Sequence, residues 1–232
     1  MKSLFLAFAL ALSTLPAIAG PTVVYVSESG DNRIALFTLD EESGELTRTG
    51  AFDLPGSPGS LAIRPDHTRL YASVRSTKQF ASIRVDPATG ALSDAVLTPA
   101  GSNSTYVHLD KTGGWLLSAS YSEGVVSASR ITDGVVTGAP VSSLVTGKKA
   151  HSILTDPANR FAFVPHVGGL NKVEQLIFDA TTGALAPNDP PHLGGEAGAG
   201  PRHMAFHPGG RWVYLVNEQG QSVTRCDYDP AT

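Results

Sequence analysis

Asp86-Pro87-Ala88-Thr89-Gly90-Ala91-Leu92 decides how this chain folds, because the pattern recurs. The same Asp-x-x-x-Gly-x-Leu spacing appears as Asp40…Gly44…Leu46 and as Asp179…Gly183…Leu185. Gly44 and Gly90 lie 46 residues apart; Gly90 and Gly183 lie 93 apart, two such units. A shortened copy, Asp133-Gly134, falls in the gap. A repeat of this length belongs to a propeller or a solenoid. The chain ends Asp229-Pro230-Ala231-Thr232, one residue before the next expected glycine, and is expected to be a piece of a longer protein.

Each unit carries its signals in one order. A short apolar stretch comes first: Ser60 to Ile63, Thr105 to Leu109, His151 to Leu154, and Arg202 to Phe206. A turn follows, such as Arg64-Pro65-Asp66 or His207-Pro208-Gly209-Gly210. A second run (Leu70–Val74, Trp115–Ala119, Phe161–Val164, Trp212–Val216) is apolar on both faces. A third (Phe80–Val85, Val125–Ile131, Lys172–Phe178, Ser222–Tyr228) leads into the Asp-x-x-x-Gly turn, which opens a fourth, such as Ala91 to Leu97. The runs are short, rich in β-branched and aromatic residues, and punctuated by Pro and Gly. Four short strands per unit is the blade of a β-propeller. Blades pack on neighbours through both faces, so their strands need not alternate in polarity. The fold class expected is all-β, a propeller of four-stranded antiparallel blades. Val23 to Val26 reads as a second strand, so the first blade lacks its inner strand. With the last unit ending after its third strand, the chain holds three full blades and two partial ones, an incomplete ring.

Met1 to Ala19 has the pattern of a secretory signal: Lys2, an apolar core from Leu4 to Leu12, and Ala17-Ile18-Ala19 before Gly20. The apolar core is too short to span a bilayer. The expected division is therefore 1–19 signal peptide and 20–232 partial propeller, with a periplasmic or secreted product. Net charge is −4, and no basic run exceeds Lys148-Lys149, so nucleic-acid or anionic-membrane binding has no electrostatic support. Cys226 is the only cysteine, which excludes an intramolecular disulfide. Asp31, Asp53, Asp66 and Asp110 sit in turns, where Asp bonds its own backbone, and no carboxylate cluster suggests a metal. No cofactor is expected.

In an up-and-down blade the start of strand one and the end of strand two lie at the same end, and strand one lines the central channel. Polar residues at those positions in adjacent blades converge on one mouth. His151 starts strand one of the fourth unit, Arg202 and His203 start that of the fifth, and Asn217 and Glu218 follow strand two of the fifth. The segment Gly200-Pro201-Arg202-His203-Met204-Ala205-Phe206-His207-Pro208, followed by Val216-Asn217-Glu218, closely resembles the seven-bladed propeller lactonases. That group holds bacterial 6-phosphogluconolactonase and fungal carboxymuconate lactonizing enzyme. His151-Ser152 with Asp156-Pro157, and Tyr25-Val26-Ser27, fit the same pattern.

The resemblance implies a catalytic His, Arg and Glu at His151, Arg202 and Glu218, with a second Arg from a later blade beyond Thr232. Substrate contacts are expected from His203, Asn217 and Lys149. Lactone hydrolysis needs a base for water and a donor for the oxyanion. His151 or Glu218 can be the base, and Arg202 can hold the oxyanion or an anionic substituent. The expected partner is a small-molecule lactone, and the full-length protein is expected to be a monomer. A His at a strand start is usually structural, and that reading is kept for His67, His108, His166, His192 and His207. A lactonizing cycloisomerase would use the same rim, and a non-catalytic binding propeller would not need the His151, Arg202, Glu218 set.

Overall fold

The computed structural model describes residues 21–231; the leader expected over 1–19 lies outside them. Those residues form five small antiparallel sheets, each a blade of a β-propeller. The first contains β1 (Thr22–Glu28), β2 (Arg33–Leu39) and β3 (Leu46–Asp53). The second contains β4 (Pro58–Ile63), β5 (Arg69–Val74), β6 (Gln79–Val85) and β7 (Leu92–Pro99). The third is built from β8 (Tyr106–Leu109), β9 (Trp115–Ser120), β10 (Val125–Thr132), β11 (Val135–Val136) and β12 (Ser142–Val145). The fourth has β13 (Leu154–Thr155), β14 (Phe161–His166), β15 (Lys172–Asp179) and β16 (Ala184–Gly194). The fifth has β17 (Pro201–Phe206), β18 (Trp212–Asn217) and β19 (Ser222–Asp227). The first blade thus lacks an inner strand and the fifth an outer one among the described residues, as the phase of the repeat implies.

The repeated Asp earns its place through backbone bonds. Asp40 Oδ1 accepts from the amides of Glu42 and Ser43, each at 2.9 Å. Asp86 and Asp179 repeat this toward Ala88 and Thr181 at 2.8 Å. The glycine amide closes each turn on the Asp carbonyl: Gly44 at 2.8 Å, Gly90 and Gly183 at 2.7 Å. In the third blade the turn shortens to Asp133-Gly134, both at positive φ (52° and 77°), a two-residue hairpin of the primed type that suits strand twist. The outer strand there is split. β11 pairs with the end of β10 and β12 with its start, while Thr137–Val141 loops between them.

Both faces of the second strands are buried. In β9 every residue from Trp115 to Ser120 is buried. Trp115, Leu117 and Ala119 face a cluster with Ala162, Val164 and Phe178 of the fourth blade. Leu116 faces Tyr71, Phe80 and Val107 toward the second. In β5, Leu70, Ala72 and Val74 face Ile34 of the first blade, while Tyr71 faces the third. The period of two survives, but each side meets another blade instead of water.

The blades are also latched by hydrogen bonds at the repeated turn. Tyr25 Oη donates to the Gly90 carbonyl at 2.7 Å, Tyr71 Oη to Gly134 at 3.0 Å, and Trp115 Nε1 to Ala180 at 2.7 Å. In each case an aromatic on a second strand reaches the turn of the following blade. At the fourth interface Phe161 has no donor, and Arg160 bonds the Pro230 carbonyl instead. The Trp115 contact explains the glycine at 183. Its φ is +78°, and a Cβ there would lie 2.3 Å from the Trp115 ring. Gly113 shares the backbone conformation (φ +68°) but nothing lies within 4 Å of a Cβ. Gly113→Ala is expected to cost about 1–2 kcal/mol for the left-handed backbone. Gly183→Ala adds an overpacking cost of about 1–3 kcal/mol. Urea unfolding of the two variants measures the gap, and equal losses would contradict the latch.

Candidate active site

The inner strands bring the candidate residues to one rim. β17 begins irregularly: Pro201 pairs with Asn217 and His203 with Val216, so Arg202 is the extra residue of a bulge. A bulge re-aims side chains at a strand end. Three contacts fix this one. Ser152 Oγ, from the fourth blade, donates to the Arg202 carbonyl at 2.9 Å. The Glu218 amide donates to the Gly200 carbonyl at 2.8 Å, while the Gly200 amide donates to Asn171 Oδ1 at 2.8 Å.

His151 does not start a strand. β13 covers only Leu154–Thr155, and the segment before it is joined to β14 by a single bridge, Ala150 to His166. The His151 amide still donates to the Pro165 carbonyl at 3.0 Å, which holds the residue at the rim. The strand is shorter than the apolar pattern suggests because Lys149 sits at a φ of +67° and turns the chain just before it.

Arg202 Nε lies 2.7 Å from Glu218 Oε2, with side-chain exposures of 41% and 50%. The contact is an ion pair out of line for a hydrogen bond, since Nε itself is enclosed without an aligned acceptor. A pair this exposed contributes little to stability, about 0–1 kcal/mol. His203 Nε2 lies 3.2 Å from His151 Nδ1. Tyr121 meets the His151 ring edge-on at 5.9 Å between centroids, and Tyr106 meets His203 at 5.4 Å. Burial lowers the His151 pKa to about 4, helped by the charge of Arg202 and opposed by Glu218. Burial also lowers His203, and Arg202 adds to it. Both imidazoles are therefore neutral at pH 7.

Four of the six expected site residues thus gather here: His151, His203, Arg202 and Glu218. Asn217 does not present its amide to the channel. It is 4% exposed, and its Nδ2 donates to Ser222 and Thr224 inside its own hairpin. Lys149 is partly exposed and takes part in no ion pair among the described residues; its amide donates to the Tyr121 carbonyl at 2.7 Å. Tyr106 and Tyr121 were not expected at the site. The signal was available, since Tyr106 begins β8 and Tyr121 follows the end of β9, the positions His203 and Glu218 hold in the fifth blade. Among the described residues no group of three or more His, Cys, Asp and Glu could hold a metal ion. A cavity of about 610 Å³ lined by Arg64, Arg69 and Arg84 lies at the opposite end of the second and third blades, away from these groups.

The family described as "Lactonase, 7-bladed beta-propeller" matches residues 22–232. The chain belongs to the seven-bladed β-propeller lactonases. It is 36% identical over 212 residues to the 6-phosphogluconolactonase of Pectobacterium carotovorum strain PC1, covering 90% of this chain and 62% of the relative. Against the 6-phosphogluconolactonase of Yersinia pestis strain Pestoides F it is 36% identical over 201 residues, 86% and 59% of the two chains. The chain therefore spans about three-fifths of the length of these curated relatives. Among solved structures, a protein of Bacteroides fragilis NCTC 9343 superposes with a TM-score of 0.81 at 18% identity, over 95% of this chain and 67% of that one. The periplasmic gluconolactonase PpgL of Pseudomonas aeruginosa superposes at 0.71 with 22% identity, over 90% and 68%. At these identities the structures speak for the fold.

The electrostatics make a testable statement. A histidine NMR titration is expected to place His151 at about 4. Arg202→Leu is expected to raise it by removing a repelling charge, and Glu218→Gln to lower it further. A His151 unmoved in both variants would contradict the geometry. An unfolded His titrates near 6.5, so neutral His151 contributes its full stability above that pH and loses it as pH falls toward about 4.

Proposed function

We propose that the protein is a lactonase that hydrolyses cyclic sugar-acid lactones of the gluconolactone type at this rim. The observation that carries the reading is the convergence of neutral His151 with the Arg202–Glu218 pair, from two adjacent blades, in a chain of the lactonase family. The relatives named 6-phosphogluconolactonase favour hydrolysis over lactonization.

Hydrolysis adds water to the lactone carbonyl, forms a tetrahedral oxyanion, and expels the ring oxygen, which must gain a proton. His151 takes the proton of the attacking water and returns it to the ring oxygen. Arg202 turns its guanidinium nitrogens to the oxyanion, and Glu218 holds Arg202 by its Nε side. A base with a pKa of about 4 is weak in the resting site. As negative charge develops beside Arg202, its field on His151 is neutralised and the base strengthens during the reaction. No described helix is long and apolar enough to cross a membrane. With the leader pattern of Met1 to Ala19, the reading extends to an exported protein acting on lactones outside the cytoplasm.

The test is pH-stat hydrolysis of glucono-δ-lactone and 6-phosphogluconolactone, corrected for spontaneous opening. Arg202→Ala is expected to lower the rate on the order of 10²–10³-fold, as loss of one oxyanion donor does. Glu218→Gln keeps the shape and is expected to lower it less. Full rates in both variants with unchanged stability would overturn the assignment and favour a binding propeller.

A further inference from the structure

The rings of Tyr106, His203, His151 and Tyr121 form one row across the third, fifth and fourth blades. The centroid spacings along it are 5.4, 5.0 and 5.9 Å. The middle contact is polar, Nε2 of His203 to Nδ1 of His151 at 3.2 Å. With both imidazoles neutral, one proton lies between these two nitrogens, and one ring must be its donor. A neutral His151 can take a water proton on Nε2 only if its own proton sits on Nδ1, which makes His151 the donor of the pair and His203 the acceptor.

We propose that His203 is a positioning residue: its Nε2 accepts the Nδ1 proton of His151 and so leaves Nε2 of His151 as the bare nitrogen. This deepens the reading of His151 as the base and rests on it. A water proton then goes to Nε2 of His151, the resulting imidazolium keeps its Nδ1–H on His203, and the Nε2 proton leaves with the ring oxygen. The imidazole ends neutral as it began, and the proton released to solvent comes from ionisation of the product carboxyl. A carboxylate in the place of His203 would fix the same tautomer but would stabilise imidazolium in the resting enzyme. A neutral imidazole fixes the tautomer and leaves His151 uncharged. The edge contact of Tyr106 on His203 and of Tyr121 on His151 holds both rings at the required angle.

The test reads the tautomer directly, by nitrogen NMR of the protein labelled at histidine, at pH 7 and without substrate. Wild type is expected to show His151 protonated on Nδ1. His203→Phe, which keeps a ring against Tyr106 but no acceptor, is expected to shift His151 toward the Nε2-protonated form. His203→Gln, which offers an amide oxygen, is expected to restore the wild-type signal. In turnover of gluconolactone, His203→Phe is expected to lower kcat by on the order of 10²-fold, the low end of general-base contributions, with KM unchanged. His203→Gln is expected to recover most of that loss. A wild-type His151 protonated on Nε2, or a tautomer that His203→Phe leaves unchanged, would overturn the inference. The wild-type spectrum alone decides this if a variant fails to fold. A tautomer that follows residue 203 in a protein that turns over no lactone would leave the positioning role standing and remove the functional reading.

Discussion

Trp115 lies between the third and fourth blades with its indole N–H on the Ala180 carbonyl and the Arg130 guanidinium 4.3 Å from its ring. Gly183 is packed directly against it. The contact joins the two features that repeat along the chain, the fully buried second strand and the Asp-x-x-x-Gly turn. Tyr71 and Tyr25 make the same reach one and two blades earlier. A single blade has two apolar faces and cannot hide either, so each interface must be both tight and in register. Dispersion and burial supply the attraction, and truncating one such aromatic costs about 3–5 kcal/mol. The hydrogen bond to the turn fixes how far one blade slides along the next.

That register is what builds the rim. Groups from the fourth blade reach groups from the fifth over distances of 2.9 Å (Ser152 to the Arg202 carbonyl) and 3.2 Å (His151 to His203). A shift of one blade along the next by a single residue's rise, about 3.3 Å, would break both contacts. The buried carboxylates reinforce the same alignment at the opposite end. Asp110 accepts from Trp115 N, Thr112 N, Thr112 Oγ1 and, across the interface, Asn159 Nδ2. Asp156 accepts from three amides of its own turn and from Tyr228 of the fifth blade. The rim itself carries exposed or half-buried polar groups whose ion pair adds little stability. The site is thus held by bonds beneath and beside it.

The blade order was readable because its chemistry is local. An Asp at 40, 86 or 179 bonds amides two residues on, whatever the rest of the chain does. The rim was readable as far as topology alone determines it, which placed His151, Arg202, His203 and Glu218 at one end. What depends on local distortion was not. The short β13 follows the left-handed turn at Lys149, and the bulge at Arg202 is held by bonds to Ser152, Glu218 and Asn171, and no pattern of residue types displays those. The inward turn of Asn217 had a signal, since it shares the period-two face of buried Leu215. Tyr106 and Tyr121 hold the strand-end positions that His203 and Glu218 hold in the fifth blade, but an aromatic at a strand end also reads as packing. The row of rings settles the choice by placing them against the two histidines.

Ligands of the lactone class are expected to bind at the rim where the fourth and fifth blades meet. A crystal structure of the protein soaked with gluconate, the product of gluconolactone hydrolysis, tests it most directly. The account predicts the carboxylate within hydrogen-bond distance of the Arg202 guanidinium and a hydroxyl or carboxylate oxygen at His151 Nε2. Gluconate bound instead at the opposite end, among Arg64, Arg69 and Arg84, with the His151–Arg202 rim empty, would contradict it.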